Sequence, residues 1–542
     1  MLAAALALGW NLAGYRLLDP DEGRNAEVAR EMAQGNDYLV PHLDGLPYLD
    51  KPIVYFAASA GLMELLGPTE TAARLPAYLA TLATIGLLVW FARRRWGGAA
   101  GWLAGLAFAT MPLTLMYAHT TIFDSTLTLC TTAAIISLFE ERLGLAWAAI
   151  AVGALTKGPV AIAVPLVAMV AYSLAAGVRL GRLVSLRGLA AFAILSLPWF
   201  LAVSRRFPEF PQYVFVRETF QRFTTPSFHR TAPLWYYLPI VPIAAFPWIV
   251  LGAARLGRWR ATWANRREAA ARESIWLAAW VLAPLALFTL NHSKLPQYVL
   301  PLMPALALAA ARHLAAGGPR TAWRPYVVIA AGLAAVLIAL PGRLLAPLPL
   351  TPAERLAIPT AALAAGVALL ASAACLAVAA WRDAPRFAAL AYAIPVMALP
   401  FASAGVLRAV GDDRSAARLA AAVRPVLDRA AASGNRATVL GVAAYPPSLP
   451  FYLNATIDVA TADAGELTSN YIAAFQDRYR SMPSSPLHAP EFWRTAAAQC
   501  AAPTVFVVGS GNAAVRKDLA ALPLLIDDGR YAAYGPCGPV RG

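Results

Sequence analysis

Runs of about 17–24 apolar residues recur along most of this chain, each long enough to cross ~30 Å of hydrocarbon. That recurrence leaves few folds open. A backbone inside lipid must satisfy its own hydrogen bonds, so only helices or a closed barrel can span. The runs are continuous rather than alternating, which argues against a barrel. They place thirteen spans, at 2–18, 72–92, 99–117, 122–139, 143–156, 158–177, 188–204, 234–254, 274–291, 296–312, 323–341, 358–380 and 386–405. The apolar run 53–66 is short for a span and is expected as an interfacial or re-entrant helix. The fold class is an α-helical polytopic membrane protein. Composition agrees: 14% of residues are charged, against roughly a quarter in a soluble domain.

Arginine sets the expected orientation. With the N-terminus inside, the cytoplasmic loops carry Arg93, Arg94 and Arg95, then Arg179, Arg182 and Arg187, then Arg255, Arg258, Arg260, Arg266, Arg267 and Arg272. Arg320, Arg324, Arg382 and Arg386 follow on the same side. The net charge of +15 is thereby explained by topology rather than by nucleic-acid binding. The first run, 2–18, lacks a basic start and a cleavage site, so it is expected as a retained span.

From Asp412 both charge signs appear and the apolar runs shorten. Residues 437–443, 456–460, 504–508 and 524–527 suggest strands, and 414–432 and 513–521 suggest helices. Residues 1–411 are thus expected as a transmembrane domain with outer loops at 19–71 and 205–233, and 412–542 as a small α/β domain outside the cytoplasm. No metal-spaced His/Cys cluster or phosphate loop is found there; Val508-Gly509-Ser510-Gly511 is too short for a nucleotide fingerprint. No nucleotide cofactor is expected, and the domain reads as a structural or acceptor-positioning cap. Cys130 and Cys375 read as apolar fillers, whereas Cys500 and Cys537 lie where a disulfide is permitted.

Polar chemistry concentrates at one membrane face. The loop after the first span holds Asp19, Asp21, Glu22, Arg24, Glu27, Arg30 and Glu31, and closes with Tyr48-Leu49-Asp50-Lys51-Pro52. Pro20 suits the first turn of a helix and the acids there complement its dipole. Glu27 and Glu31, four residues apart, read as the solvated face of an interfacial amphipathic helix. Lysine is a second tracer: of 45 basic residues only Lys51, Lys157, Lys294 and Lys517 are lysines. Lys51, Lys157 and Lys294 sit beside spans on the outer face. They read either as lysines snorkelling at helix ends or as a cationic pocket for a phosphate. Asp124 opens a span on the same face, where an acid is costly unless paired. Its candidate partners are the lysines and Arg24. The loop 205–233 adds Arg217, Glu218, Arg222, His229 and Arg230 before the aromatic run Trp235-Tyr236-Tyr237; one histidine alone is weak evidence for a metal.

Taken in order, these pieces resemble the lipid-linked-sugar glycosyltransferases of the GT-C fold, nearest to the lipid A aminoarabinose transferases within the protein O-mannosyltransferase-like superfamily. The matching stretches are Asp21-Glu22-Gly23-Arg24, Glu27, Ala29-Arg30-Glu31-Met32, Val40-Pro41-His42-Leu43, Gly45-Leu46-Pro47-Tyr48, Asp50-Lys51-Pro52, Arg74-Leu75-Pro76 and Phe123-Asp124. Thr156-Lys157-Gly158-Pro159, Pro198-Trp199, Arg222-Phe223, His229, Pro247-Trp248 and Ser293-Lys294-Leu295-Pro296-Gln297-Tyr298 follow. The resemblance implies thirteen spans in a bacterial plasma membrane, a periplasmic active site, a polyprenyl (undecaprenyl) phosphate sugar donor and a lipid or glycan acceptor. It implies Asp21 and Asp124 as catalytic acids. Arg24, Lys51, Lys157, Arg222, Lys294 and Tyr298 would bind donor phosphate or substrate. It implies a divalent metal (Zn, Mg or Mn) on Asp50 and His229, although relatives often carry Glu at the first of these positions. Asn25 stands where a tyrosine is common. A protein O-glycosyltransferase is the alternative within the enzyme class. A lipid-linked-sugar flippase is the alternative outside it, but no inverted repeat is found and the polar residues avoid mid-membrane.

Overall fold

The computed structural model describes residues 2–221, 231–253, 259–316, 319–339, 350–382 and 384–538. The chain divides into two compact units, Met1–Gly14 with Arg74–Leu407 and Tyr15–Ala73 with Arg408–Gly542.

The first unit is helical. Six of its described helices are long and apolar enough to cross a membrane, or seven if the bent pair Gly98–Ala109 and Pro112–Ala118 is one span. The 66° bend falls where Pro112 begins the second helix, a position that tolerates the missing N–H. Asp124–Phe139, Leu143–Lys157 and Val160–Ala176 are shorter apolar helices over expected spans. The count of thirteen full spans does not reappear helix by helix. Expected span 2–18 is helical only over Leu2–Gly9, and Asn11 then adopts a left-handed conformation (φ 75°). Expected span 234–254 breaks into Leu234–Tyr236, Tyr237–Ala244 and Ile249–Ala253, with Pro242 and Pro247 withholding backbone donors. An average over apolar residues sees neither interruption.

The core of this unit is aromatic. Phe139 stacks on Trp276 at 4.2 Å, and Trp276 packs on Phe91 and Trp280. The buried Trp248 donates Nε1–H to Thr110 Oγ1 at 2.9 Å, which satisfies its one polar atom. Glu273 is buried but matched: it accepts from Arg95 (2.6 Å) and Trp96 (2.9 Å) and pairs with Arg312 (3.1 Å). By contrast, the helix Leu186–Arg206 exposes Leu186, Leu189, Ile194, Leu195, Leu197 and Leu201. That face suits lipid, where no water penalises it.

The second unit is mixed. Its sheet runs, in spatial order, Leu487–His488, Asp458–Ala460, Thr438–Val442, Thr504–Gly509, Tyr531–Cys537 and Leu524–Asp527. The first four strands are parallel and the last two antiparallel. The four expected strands are present; Leu487–His488 and Tyr531–Cys537 are additional, the second hidden by its Gly535-Pro536. All four cysteines are thiols, with Cys500 and Cys537 neighbours beside this sheet.

Residues 15–73, counted with the transmembrane domain by sequence, pack with the chain from Arg408 onward. The helix Asp21–Gly35 stops at Asn36 in the left-handed conformation. The hairpin His42–Leu43/Leu46–Pro47 turns on Asp44 (φ 57°) and Gly45 (φ 76°), the two positive φ angles of a type I′ turn. Ala26 and Ala29 lay the helix on Met63 of the helix Val54–Leu66, with Leu17, Ala72 and Phe451 completing the cluster.

The expectation of a solvated interfacial helix is overturned here. Ten residues of Asp21–Gly35 are buried, and Glu27 and Arg30 are 0% and 3% exposed. The reason is a second cover. Gly23 meets Ser448 so closely that a Cβ would stand 2.6 Å from its backbone nitrogen, and Arg30 reaches Asn454. Periodicity reports which face is apolar; it does not report that residues 425 positions away cover the polar face.

Candidate active site

The sequence builds the entry to the cassette locally. The Glu22 carboxylate accepts the Leu18 N–H at 3.1 Å, tying the start of the helix to the preceding turn. Ser448 donates its hydroxyl to Asp19 at 2.9 Å. Burial pushes the Asp19 carboxyl up to about 7. Asp21 and Arg24 share the next turn, with Nη2 2.5 Å from Asp21 Oδ1. The two differ in cover: the Asp21 side chain is 40% exposed and that of Arg24 only 10%.

Arg24 is held from three directions. Asp21 takes Nη2; the other terminal nitrogen, Nη1, donates to Thr468 Oγ1 (2.8 Å) and to the Thr468 carbonyl (3.0 Å). The Tyr48 ring lies 6.0 Å from the guanidinium carbon, close enough for a cation–π contribution. Nε has no acceptor among the described residues.

Asp50 and Lys51 follow the hairpin. Lys51 Nζ donates to the Asp50 carbonyl at 2.7 Å. The Asp50 carboxylate is engaged at both oxygens: Oδ2 accepts the Ser469 hydroxyl (2.6 Å) and Oδ1 the Tyr471 N–H (3.1 Å). The expected co-ligand of Asp50, His229, lies outside the described residues. The acid is an anchor for the segment Ser469–Tyr471, and among the described residues no three His, Cys, Asp or Glu side chains gather as ligands would. Arg222 likewise lies outside the described residues.

The helical unit carries its own constellation. Asp124 is the first residue of the helix Asp124–Phe139, where the helix dipole favours an anion. It pairs with Lys157, the last residue of Leu143–Lys157, at 2.5 Å, and both side chains are largely buried, 4% and 14% exposed. Lys157 Nζ also lies 5.1 Å from the centroid of the Tyr298 ring. Of the expected residues this structure therefore brings Asp124, Lys157 and Tyr298 together. Lys294 is turned to backbone, donating to the Ala232 (3.1 Å) and Asn291 (2.6 Å) carbonyls; what it holds is the chain itself.

Glu27 and Glu31 do not line a solvated surface. Glu27 forms a two-pronged pair with Arg30 (2.5 and 2.7 Å). Glu31 accepts the N–H groups of Asp44 and Gly45, fixing the hairpin turn. Burial, with Glu27 close by, pushes the Glu31 carboxyl up to about 8. Asp44, whose Oδ1 accepts the Ile457 N–H at 2.8 Å, is raised well above the ordinary range by burial and by Glu31. The residues that sequence reasoning missed are Thr468, Ser469 and Tyr471. A serine before an apolar helical turn is a local capping signal, and Ser469 does accept the Ile472 N–H at 3.2 Å; nothing local joins it to Asp50.

The apolar helices of the first unit define a class, polytopic helical membrane proteins. The structure matches the crystal structure of ArnT from Cupriavidus metallidurans bound to undecaprenyl phosphate, with TM-score 0.82 and 25% identity over 100% of this chain and 98% of that one. The apo form of the same protein matches equally in fold (TM-score 0.82, 24% identity). An undecaprenyl phosphate-alpha-4-amino-4-deoxy-L-arabinose arabinosyl transferase from Yersinia enterocolitica is 34% identical over 332 residues, 57% of this chain and 59% of that relative. One of the same name from Aeromonas salmonicida is 34% identical over 57% of this chain and 58% of its own length. The matched stretch thus covers somewhat over half of these curated relatives. The family model for dolichyl-phosphate-mannose-protein mannosyltransferase matches residues 50–202. Over its whole length the chain is similar in fold to ArnT, and over somewhat more than half of its length it is similar in sequence to these transferases.

Proposed function

We propose that this chain is an integral-membrane glycosyltransferase that moves a sugar from an undecaprenyl-phosphate-type carrier to a lipid A-like lipid or glycan acceptor. The observation that carries this reading is the whole-chain likeness in fold to a protein crystallised with undecaprenyl phosphate. The names of the curated relatives support a 4-amino-4-deoxy-arabinose donor. The arginine distribution supports a bacterial plasma-membrane location with the 19–71 loop and the mixed unit on the periplasmic side.

In the reaction, the bond between the sugar's anomeric carbon and a phosphate oxygen breaks, and an acceptor oxygen takes that carbon. Negative charge builds on the departing polyprenyl phosphate. Cations already fixed in place stabilise it without reorganising, and Arg24 and Lys51 are such cations. Asp21 spends one oxygen on Arg24, so its first role is to aim that guanidinium. A hydroxyl acceptor needs its proton removed, by Asp21; an ionised phosphate acceptor does not. Within the helical unit, Asp124 and Lys157 are a second acid–cation pair suited to binding substrate. Asp50 positions Lys51 through its carbonyl, which accepts from Lys51 Nζ at 2.7 Å.

The family model's description gives a second reading, a protein O-glycosyltransferase. One assay separates the possibilities: purified protein in liposomes with a radiolabelled polyprenyl-phosphate sugar and either lipid A or peptide acceptors. Label on lipid A supports the proposal and label on peptide supports the second reading. Carrier scrambled across the bilayer without transfer marks a flippase.

A further inference from the structure

The geometry points to Thr468, contributed by the C-terminal part of the chain, as a positioning residue for the phosphate-binding cation Arg24. This rests on the reading of Arg24 as a ligand of the donor phosphate. Thr468 has φ 54°, in the left-handed region where a branched side chain is an outlier. It is also exposed, so packing does not account for its conformation. It caps the one-turn helix Gly465–Leu467, its N–H donating to the Gly465 carbonyl at 3.0 Å, and that turn presents its polar atoms to Arg24. Its hydroxyl (2.8 Å) and its carbonyl (3.0 Å) both accept from one nitrogen, Nη1 of Arg24.

The residues that follow complete the device. Ser469 donates to Asp50 at 2.6 Å while accepting from Ile472, and the Tyr471 N–H reaches the other Asp50 oxygen at 3.1 Å. The Asp50 carbonyl in turn accepts from Lys51 Nζ at 2.7 Å. One turn, Thr468–Tyr471, therefore holds the cassette at two points, Arg24 directly and the Asp50–Lys51 step through the Asp50 side chain. It sets the separation of the two cations that would flank a phosphate. The C-terminal part is thereby more than a cover; it supplies the template on which the cations are spaced.

The test uses full-length protein in nanodiscs and undecaprenyl phosphate as probe, with binding and thermal unfolding measured together. Thr468→Val removes the hydroxyl at constant shape and backbone restriction, and Thr468→Ser keeps it. Thr468→Val should weaken binding roughly tenfold, the scale of a hydrogen bond to a charged group, with little change in Tm. Thr468→Ser should bind like the wild type. The Arg24→Ala/Thr468→Val double variant should bind no more weakly than Arg24→Ala alone, because Thr468 acts through Arg24. A control, Arg516→Ala, removes the Arg516–Asp527 pair elsewhere in the unit and should lower Tm without changing binding. Wild-type binding by Thr468→Val, or further loss in the double variant, overturns the proposal while leaving Arg24's role intact. Undiminished binding by Arg24→Ala overturns the underlying reading and the proposal with it.

Discussion

Two acid–arginine pairs sit one turn apart on the helix Asp21–Gly35, and they have opposite characters. Asp21–Arg24 and Glu27–Arg30 share the same i,i+3 spacing and the same 2.5 Å contact. The Asp21 side chain keeps 40% of its exposure, whereas Glu27 and Arg30 keep 0% and 3%. The first pair exposes its acid, while Arg24 keeps only 10% of its side-chain exposure. The second is sealed, and Arg30 reaches onward to Asn454. Spacing on a helix decides which charges meet; what covers the helix decides whether the pair is chemistry or structure.

Mutation should split the two. Glu27→Ala leaves Arg30 buried without its partner and is expected to cost about 3–5 kcal/mol, seen as a large drop in Tm and in folded yield. If the comparison holds, Asp21→Ala lowers Tm less, because Asp21 is 40% exposed and Thr468 still holds the covered Arg24. Arg24→Ala should show the reverse pattern, a fall in transfer on the order of a hundredfold in a protein that still folds, as for other groups that stabilise developing charge. Equal Tm losses for Glu27→Ala and Arg24→Ala would erase the distinction. Between them in character is Gly23→Ala. Its Cβ would stand 2.1 Å from Asp19 Oδ1 and 2.6 Å from the Ser448 nitrogen, so the helix must shift, at roughly 1–3 kcal/mol.

The sealed end should also respond to pH. The Glu31 carboxyl is lifted from its ordinary 4.5 to about 8 by burial and by Glu27, so the folded state holds a proton that the unfolded chain releases. Its contribution is full below about 4.5 and is lost as pH rises toward about 8, at no more than about 1.4 kcal/mol per pH unit. Thermal unfolding from pH 5 to 8.5 should show stability declining with pH, and Glu31→Gln should flatten the decline. A pH-independent difference between the two proteins would contradict this. The smallest expected effect is that of a chelator: with both Asp50 oxygens engaged by Ser469 and Tyr471, EDTA should leave transfer unchanged.

How much of this was legible in the sequence depended on range. The helical membrane class, the strands of the mixed unit and the pairing of Asp124 with a lysine followed from apolar length, β-branched runs and the cost of an unpaired acid near lipid. The Asp21–Arg24 contact is a one-turn neighbour and equally local. Glu27 and Glu31 were misread because their cover comes from Asn454 and from the Asp44–Gly45 turn, which periodicity cannot report. The Asp50 carboxylate binds Ser469 and Tyr471, some 420 residues onward, which no local pattern reports. Thr468 carries no local signal at all; its role exists only once the C-terminal part folds against the cassette.

The most direct test of the account is transfer itself. Purified protein is reconstituted in liposomes with undecaprenyl-phosphate aminoarabinose and lipid A, and the wild type is compared with Asp21→Asn and Lys51→Ala. The account predicts labelled lipid A from the wild type and loss of that product in both variants, with Lys51→Ala weakening donor binding more than Asp21→Asn does. Undiminished transfer in the variants, or carrier movement across the bilayer with no labelled acceptor, would contradict it.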